Sequence, residues 1–261
     1  MICSNDRSRE FGRELSSLCR SSPMGARIES YYLAYSGGNY SFLDTWLCYD
    51  DEKAYCAISR YYDTVVLCGK SSAEVNEFLR MLSPQTLMCD SQSGVNVPFM
   101  DIKKGETMQL IHAPKVNFDN ISYAEVLSGD TRSLKEVYEL LMSEYGDTPP
   151  IGRFEDYFVD TSHMIRHGGV EVRAIRENGK IIAALSVTAK SPTAAVLGNI
   201  VTHRDHRRRG YATALILRAA AELYESGRKV YLYREKSIKL YERLGFAVVG
   251  EWETLRSKNN E

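Results

Sequence analysis

The chain has 261 residues, 44% hydrophobic and 26% charged, a balance that belongs to a folded globular protein and excludes disordered or collagen-like architectures. Its length holds one large domain or two ordinary ones, and a formal net charge of -1 gives no global attraction to nucleic acid or an anionic membrane. No apolar run approaches the roughly 20 residues that span a bilayer, and Met1 to Arg7 lacks the apolar core of a secretory leader, so the expected compartment is the cytoplasm.

In chain order, Met1 to Pro23 is polar, reads as helical in part and carries no motif. Arg27 to Tyr35 reads as a helix, and Phe42 to Tyr49, Ala54 to Arg60 and Thr64 to Cys68 as consecutive strands, with turns at Asp50 to Lys53 and Tyr61 to Asp63. Ser71-x-x-Glu74 resembles a capping box ahead of Val75, Phe78, Leu79 and Leu82 at helical spacing, and Thr86 to Cys89 reads as another strand. The six cysteines, Cys3, Cys19, Cys48, Cys56, Cys68 and Cys89, show no metal-ligand spacing and read as buried, reduced thiols. Ser91 to Pro98 is a loop by composition, and Ala113-Pro114-Lys115 is the expected boundary between an N-terminal domain, 1–114, and a C-terminal domain, 115–261.

Past that boundary, Ser122 to Leu127 reads as a strand. Asp130 or Thr131 caps a helix whose apolar stripe is Leu134, Val137, Tyr138, Leu141, Met142 and Tyr145, ended by Gly146. After Pro149 and Pro150, a second helix carries Phe154, Tyr157, Phe158, Thr161 and Ile165. Val170 to Ile175 and Lys180 to Thr188 flank Glu177-Asn178-Gly179, a hairpin turn. Ala194 to Val201 is apolar enough for a buried strand.

The next segment carries the chemistry. Strand residues Ile200, Val201 and Thr202 run through the basic turn Arg207-Arg208-Arg209-Gly210 into Tyr211, Ala212 and Thr213, where Ala212, Leu215, Ile216, Ala219 and Leu223 recur at helical spacing. The first amides of a helix lack intrahelical acceptors and favour an anion, and the small residues Gly210 and Ala212 let phosphate oxygens approach them. Lys229 to Tyr233 follows as a strand, Ser237 to Leu244 as a short helix, and Gly245 to Val249 as a helix stop entering another strand. The spacing Arg-x-x-Gly-x-Ala resembles the acetyl-CoA signature of the GNAT superfamily of N-acyltransferases. The segment from Ser237 to Phe246, S-I-K-L-Y-E-R-L-G-F, resembles that family's second cofactor-side motif.

The resemblance implies an α+β GNAT fold for the C-terminal domain, with a mixed, mostly antiparallel central sheet flanked by helices. The smaller α+β N-terminal domain resembles a degenerate GNAT-like half without a phosphate turn and is expected to be non-catalytic. It further implies an N-acetyltransferase that uses acetyl-CoA as co-substrate. The backbone of Ile200, Val201 and Thr202 would pair with the pantetheine arm, and the amides from Arg207 to Thr213, those of Arg208, Arg209, Gly210, Tyr211 and Ala212 among them, would hold the pyrophosphate. Ser237 would lie beside the cofactor arm, and Tyr241 would give a proton to the leaving thiolate. Arg234 replaces the family's usual asparagine, and His203 its usual proline. The strand before the phosphate turn offers Asn199 where relatives carry a carboxylate; Glu155, Asp156, Asp160, Glu251 and Glu253 are the remaining candidates for the base, and none is singled out. The acceptor is a small-molecule or peptide amine; no nucleic acid, membrane or metal is implied, and the oligomeric state is open. The alternative is a protein that binds acyl-CoA without turnover.

Overall fold

Capping chemistry and apolar periodicity set the elements of the N-terminal half. The computed structural model describes residues 1–5, 8–36, 38–98, 100–114, 124–125, 127, 129–145, 152–235 and 239–258. Strand β1 (Ile2–Ser4) precedes helices α1 (Arg9–Cys19) and α2 (Pro23–Ala34). Helix α2 begins four residues before the expected Arg27, because the Ser22 hydroxyl accepts the Gly25 N–H at 3.1 Å and Pro23 occupies the first turn. The meander β2 (Leu43–Asp50), β3 (Lys53–Tyr61) and β4 (Thr64–Gly69) follows the expected strands closely. Helix α3 (Ala73–Leu82) is capped by Ser72 rather than Ser71, the Ser72 Oγ accepting the Val75 N–H at 3.2 Å. After β5 (Thr86–Asp90) comes an unexpected long strand, β6 (Met100–Leu110).

The C-terminal half comprises β7 (Ala124–Glu125), α4 (Thr131–Tyr145), α5 (Phe154–Arg166), β8 (Glu171–Glu177), β9 (Lys180–Lys190), β10 (Ala194–Thr202), α6 (Tyr211–Glu225), β11 (Lys229–Arg234), α7 (Lys239–Arg243) and β12 (Phe246–Ser257). Asp130 caps α4, its Oδ1 accepting the Ser133 N–H at 3.0 Å. Gly146, Pro149, Pro150 and Ser237 lie outside the described residues.

Among the described residues the strands form one sheet in the order β1-β2-β3-β4-β5-β12-β6-β11-β10-β9-β8-β7. That order is a palindrome: each half lays down an antiparallel meander, then a parallel pair bridged by a helix, β4-α3-β5 in one half and β10-α6-β11 in the other. The last strand of each half is exchanged. β12 sits between β5 and β6, β6 sits between β12 and β11, and the two pair antiparallel from Phe246↔Leu110 to Ser257↔Met100. The N-terminal half therefore repeats the strand topology of the C-terminal half, which adds α7.

Each face of the sheet carries its own core. Helix α6 buries Leu215, Ile216, Ala219 and Leu223 against Ile182, Leu185, Leu197, Leu232 and Met108. On the other face α2 is buried nearly all round, as expected for a helix without a strong polar side. Met24, Ile28 and Tyr31 pack with Leu47, Ala57, Val66 and Trp252, while Ala26 packs with Ala189, Val196 and Tyr231 of the other half. The halves are also joined at α5, where Tyr61 and Tyr35 both donate to the Asp160 carboxylate, Tyr35 at 3.1 Å, and His163 stacks on Tyr35 at 4.1 Å.

Candidate active site

The site begins where two parallel strands part. β10 and β11 pair only from Ala194↔Lys229 to Leu197↔Leu232. Past Leu197, β10 bulges: its register against β9 shifts between Gly198 and Val201, with Asn199 at φ 48°, and Val201 and Thr202 then pair with Ala184 and Ala183. β11 meanwhile continues against β6, Tyr233↔Thr107 and Arg234↔Glu106. Between the strands a wedge opens, with the inner edge of Ile200 to Thr202 along one side.

The wedge continues into a cleft of about 600 Å³ lined by Glu144, Tyr145, Ile200, Val201, Thr202, His206, Arg207, Arg208, Gly210, Tyr211, Ala212, Thr213, Leu240 and Tyr241. Two motifs separated in the chain thus meet in space. Arg209 does not line it: its guanidinium reaches the Asp205 carbonyl at 3.4 Å and lies 3.8 Å from Glu177.

The turn into α6 is built to leave its amides free. Arg208 and Gly210 both take left-handed backbone, φ 64° and φ 85°, and no side chain caps the helix. The first intrahelical bond is Ala214 N–H to the Gly210 carbonyl at 2.9 Å, which leaves the amides of Tyr211, Ala212 and Thr213 without intrahelical acceptors. A Cβ at Gly210 would stand in open space, with nothing within 4 Å. The turn itself is braced. His203 Nδ1 accepts the Asp205 N–H at 3.3 Å, capping the short 3-10 turn Arg204–His206. Glu144, buried at the end of α4, accepts the Arg204 N–H at 3.0 Å and pairs with the Arg207 guanidinium, whose Nε also reaches the Thr202 carbonyl at 3.1 Å. Of the basic triplet, Arg208 alone makes no hydrogen bond or ion pair among the described residues.

Tyr241 lies half-buried on α7 at the side of the cleft. Burial raises its phenol above the ordinary tyrosine range, Tyr145 adds in the same direction, and Arg234 opposes. Arg234 is spent structurally: its buried guanidinium holds Glu106 of β6, Nε to Oε2 at 2.6 Å, and Glu242 of α7 at 2.9 Å, anchoring the helix that carries Tyr241. Tyr145, read from the sequence as one of an apolar stripe, stands in the cleft instead. Neither Glu144 nor Tyr145 had a signal in sequence beyond helical spacing.

The carboxylates considered as bases are dispersed. Asp160 is held by Tyr35 and Tyr61, Asp156 pairs with Arg153 at 3.0 Å, and Glu253 pairs with Lys104 at 2.7 Å. Glu155 is exposed on α5, and Glu251 lies in a second cleft. None of the five lines the cleft that holds Tyr241.

The residues present fit a pantetheine pyrophosphate. Among the described residues Thr202 Oγ1 is buried in this cleft without a partner and the α6 amides are unspent, and Gly210 keeps the space before them open.

Residues 134–246 match the sequence model of the acetyltransferase (GNAT) family. No curated protein matches the chain. Solved structures share the fold across nearly the full length. A Drosophila protein aligns at TM-score 0.64 and 12% identity, covering 97% of this chain and 98% of that one. A tandem GNAT protein from the clavulanic acid biosynthesis pathway aligns at 0.58 and 15%, covering 100% and 99%, and a GCN5-related N-acetyltransferase from Sphaerobacter thermophilus at 0.55 and 17%, covering 98% and 95%.

Proposed function

We propose that the GNAT acetyltransferase domain carried by this chain moves an acetyl group from acetyl-CoA to a primary amine. The observation that carries this reading is the wedge between β10 and β11, continuous with the uncapped start of α6. An open strand edge suits the amide-rich pantetheine arm, and free helix amides suit its pyrophosphate. The other expected donors to the pyrophosphate are the amides of Arg208 and Arg209; that of Arg207, also expected, donates instead to the Arg204 carbonyl at 3.4 Å, and the Arg208 guanidinium remains free to meet a phosphate oxygen.

In this reading a neutral amine attacks the thioester carbonyl, the carbon–sulfur bond breaks, and the sulfur leaves with a proton from the Tyr241 hydroxyl. The phenol suits that task because its raised pKa keeps it protonated while charge develops on sulfur. The proton lost from nitrogen passes to water: none of the five candidate carboxylates borders the cleft, and Glu144, which does, is paired with Arg207. That same observation favours a second reading, acyl-CoA binding without turnover.

One assay separates them. Incubation with acetyl-CoA and a panel of primary amines should release free CoA thiol in an amine-dependent manner. Tight acetyl-CoA binding with no thiol release across the panel favours the second reading, and no binding overturns both.

A further inference from the structure

The palindromic sheet gives the wedge a counterpart in the N-terminal half. There β4 and β5 pair only from Thr64↔Thr86 to Val66↔Met88, and β5 runs on to Asp90 against Trp252 of β12. The helix that follows β4 is closed to phosphate: Ser72 caps α3, and the Ser71 N–H donates to the Ser93 carbonyl at 2.6 Å. In place of a phosphate turn there is a polar cleft of about 470 Å³ between the start of α2, the end of β5 and a floor formed by β6, β11 and β12.

Two polar groups are left unspent in this cleft, and the space beside them is open. Thr107, 4% exposed, lines it with an Oγ1 that has no hydrogen-bond partner among the described residues. The Asp90 carboxylate lines it and makes no hydrogen bond among the described residues; burial raises its pKa, against the pull of Lys70. Gly250 pairs with Thr107 and so shares its face of the sheet, and a Cβ there would meet nothing within 4 Å. Lys70 is occupied by the Gln92 carbonyl at 2.5 Å, and Glu251 adds a second carboxylate to the rim. The charge of the lining is thus net negative, and the partly buried Asp90 carboxylate and the buried Thr107 hydroxyl both lack hydrogen-bond partners among the described residues.

We propose that this cleft binds a small molecule bearing a primary ammonium next to a second hydrogen-bonding group, Asp90 receiving the ammonium and Thr107 the second group. An ionised carboxylate is acceptor-only and an ammonium donor-only, so the pair is complementary, whereas a phosphate-bearing ligand would face two carboxylates. The site stands apart from the acetyl-CoA cleft and does not depend on acyl transfer.

Calorimetric titration of the full chain with ethanolamine, ethylene glycol and glycolate, as cationic, neutral and anionic probes, tests it. Ethanolamine should bind saturably at one site and the other two should not. Asp90→Asn should weaken ethanolamine at least about tenfold and Thr107→Val about threefold or more. Gly250→Leu, which fills the cleft from a backbone position any residue can adopt, should abolish binding, with near-UV circular dichroism unchanged in all three variants. Failure of ethanolamine to saturate, equal binding of ethylene glycol, or full affinity in a folded Asp90→Asn variant overturns the proposal. So does a second acetyl-CoA site that Gly250→Leu removes, which would return the cleft to cofactor binding.

Discussion

Tyr241 carries its proton further into the alkaline range than a solvated tyrosine, because burial and the neighbouring Tyr145 outweigh the pull of Arg234. An ordinary phenol titrates near about 10, so turnover should show no loss attributable to this group below that pH. Tyr241→Phe keeps the ring and removes the donor. It should lower acetyl-CoA-dependent thiol release by roughly 100-fold while leaving acetyl-CoA affinity unchanged; wild-type turnover would make Tyr241 a packing residue. Gly210 makes a different demand, since its φ of 85° is strained for any side chain even though the space around it is open. Gly210→Leu should cost about 1–2 kcal/mol of stability, read from urea denaturation, and should weaken acetyl-CoA binding by calorimetry, because the new side chain enters the space before the α6 amides. Unchanged affinity would remove these amides from the cofactor site. At this scale the sequence carried Gly210, Ala212 and Tyr241 openly, as motif spacing. It did not carry Glu144, whose brace on Arg207 and Arg204 spans some sixty residues of chain and leaves no local pattern.

Elements with a local signature were legible: α6 by its 3.6-residue repeat, β2 to β4 by apolar runs set between turns, and the β8-β9 hairpin by Asn178-Gly179, both at positive φ. Strand β6 was not. Its Met-Asp-Ile-Lys-Lys-Gly-Glu sequence offers no apolar run, because its first half is exposed and is held by pairing with β12 rather than by burial. The α5 element was read as helix correctly, but the role of Asp160 was hidden, since Tyr35 and Tyr61 come from the other half. Burial raises the Asp160 carboxyl pKa despite the two tyrosine donors and His163. The folded chain therefore binds this proton more tightly than the unfolded chain. Its stabilising contribution is complete below about pH 3.9 and is lost as pH rises through the folded value. Asp160→Asn keeps an acceptor oxygen without titrating. The stability of wild type relative to Asp160→Asn should thus decline from acid toward neutral pH, measured as urea midpoints across that range. A difference that stays flat, or grows with pH, would show that Asp160 is not held this way.

Because β6 and β12 are exchanged, neither half owns a complete sheet: unfolding the N-terminal half strips β6 from between β11 and β12, and unfolding the C-terminal half strips β12 from between β5 and β6. No periodicity within one half announces such an exchange, which is why the sequence suggested two domains in succession and concealed their shared centre. Helix α2 reinforces the coupling by burying side chains against both halves. The expected consequence is a single cooperative transition. The chain has two tryptophans, Trp46 in β2 of the N-terminal half and Trp252 in β12, so Trp252→Phe leaves fluorescence from Trp46 alone, far along the sheet from the cleft that holds Tyr241. A ligand that binds only the folded chain at 100 times its Kd stabilises it by about 2.7 kcal/mol. Acetyl-CoA at that excess, once calorimetry has established its Kd for this variant, should shift the Trp46 unfolding midpoint by the full amount, although Trp46 belongs to the half without the proposed acetyl-CoA cleft. A Trp46 transition that stays in place while circular dichroism reports a second, ligand-stabilised transition would mean that the halves unfold independently and that the exchanged strands do not couple them.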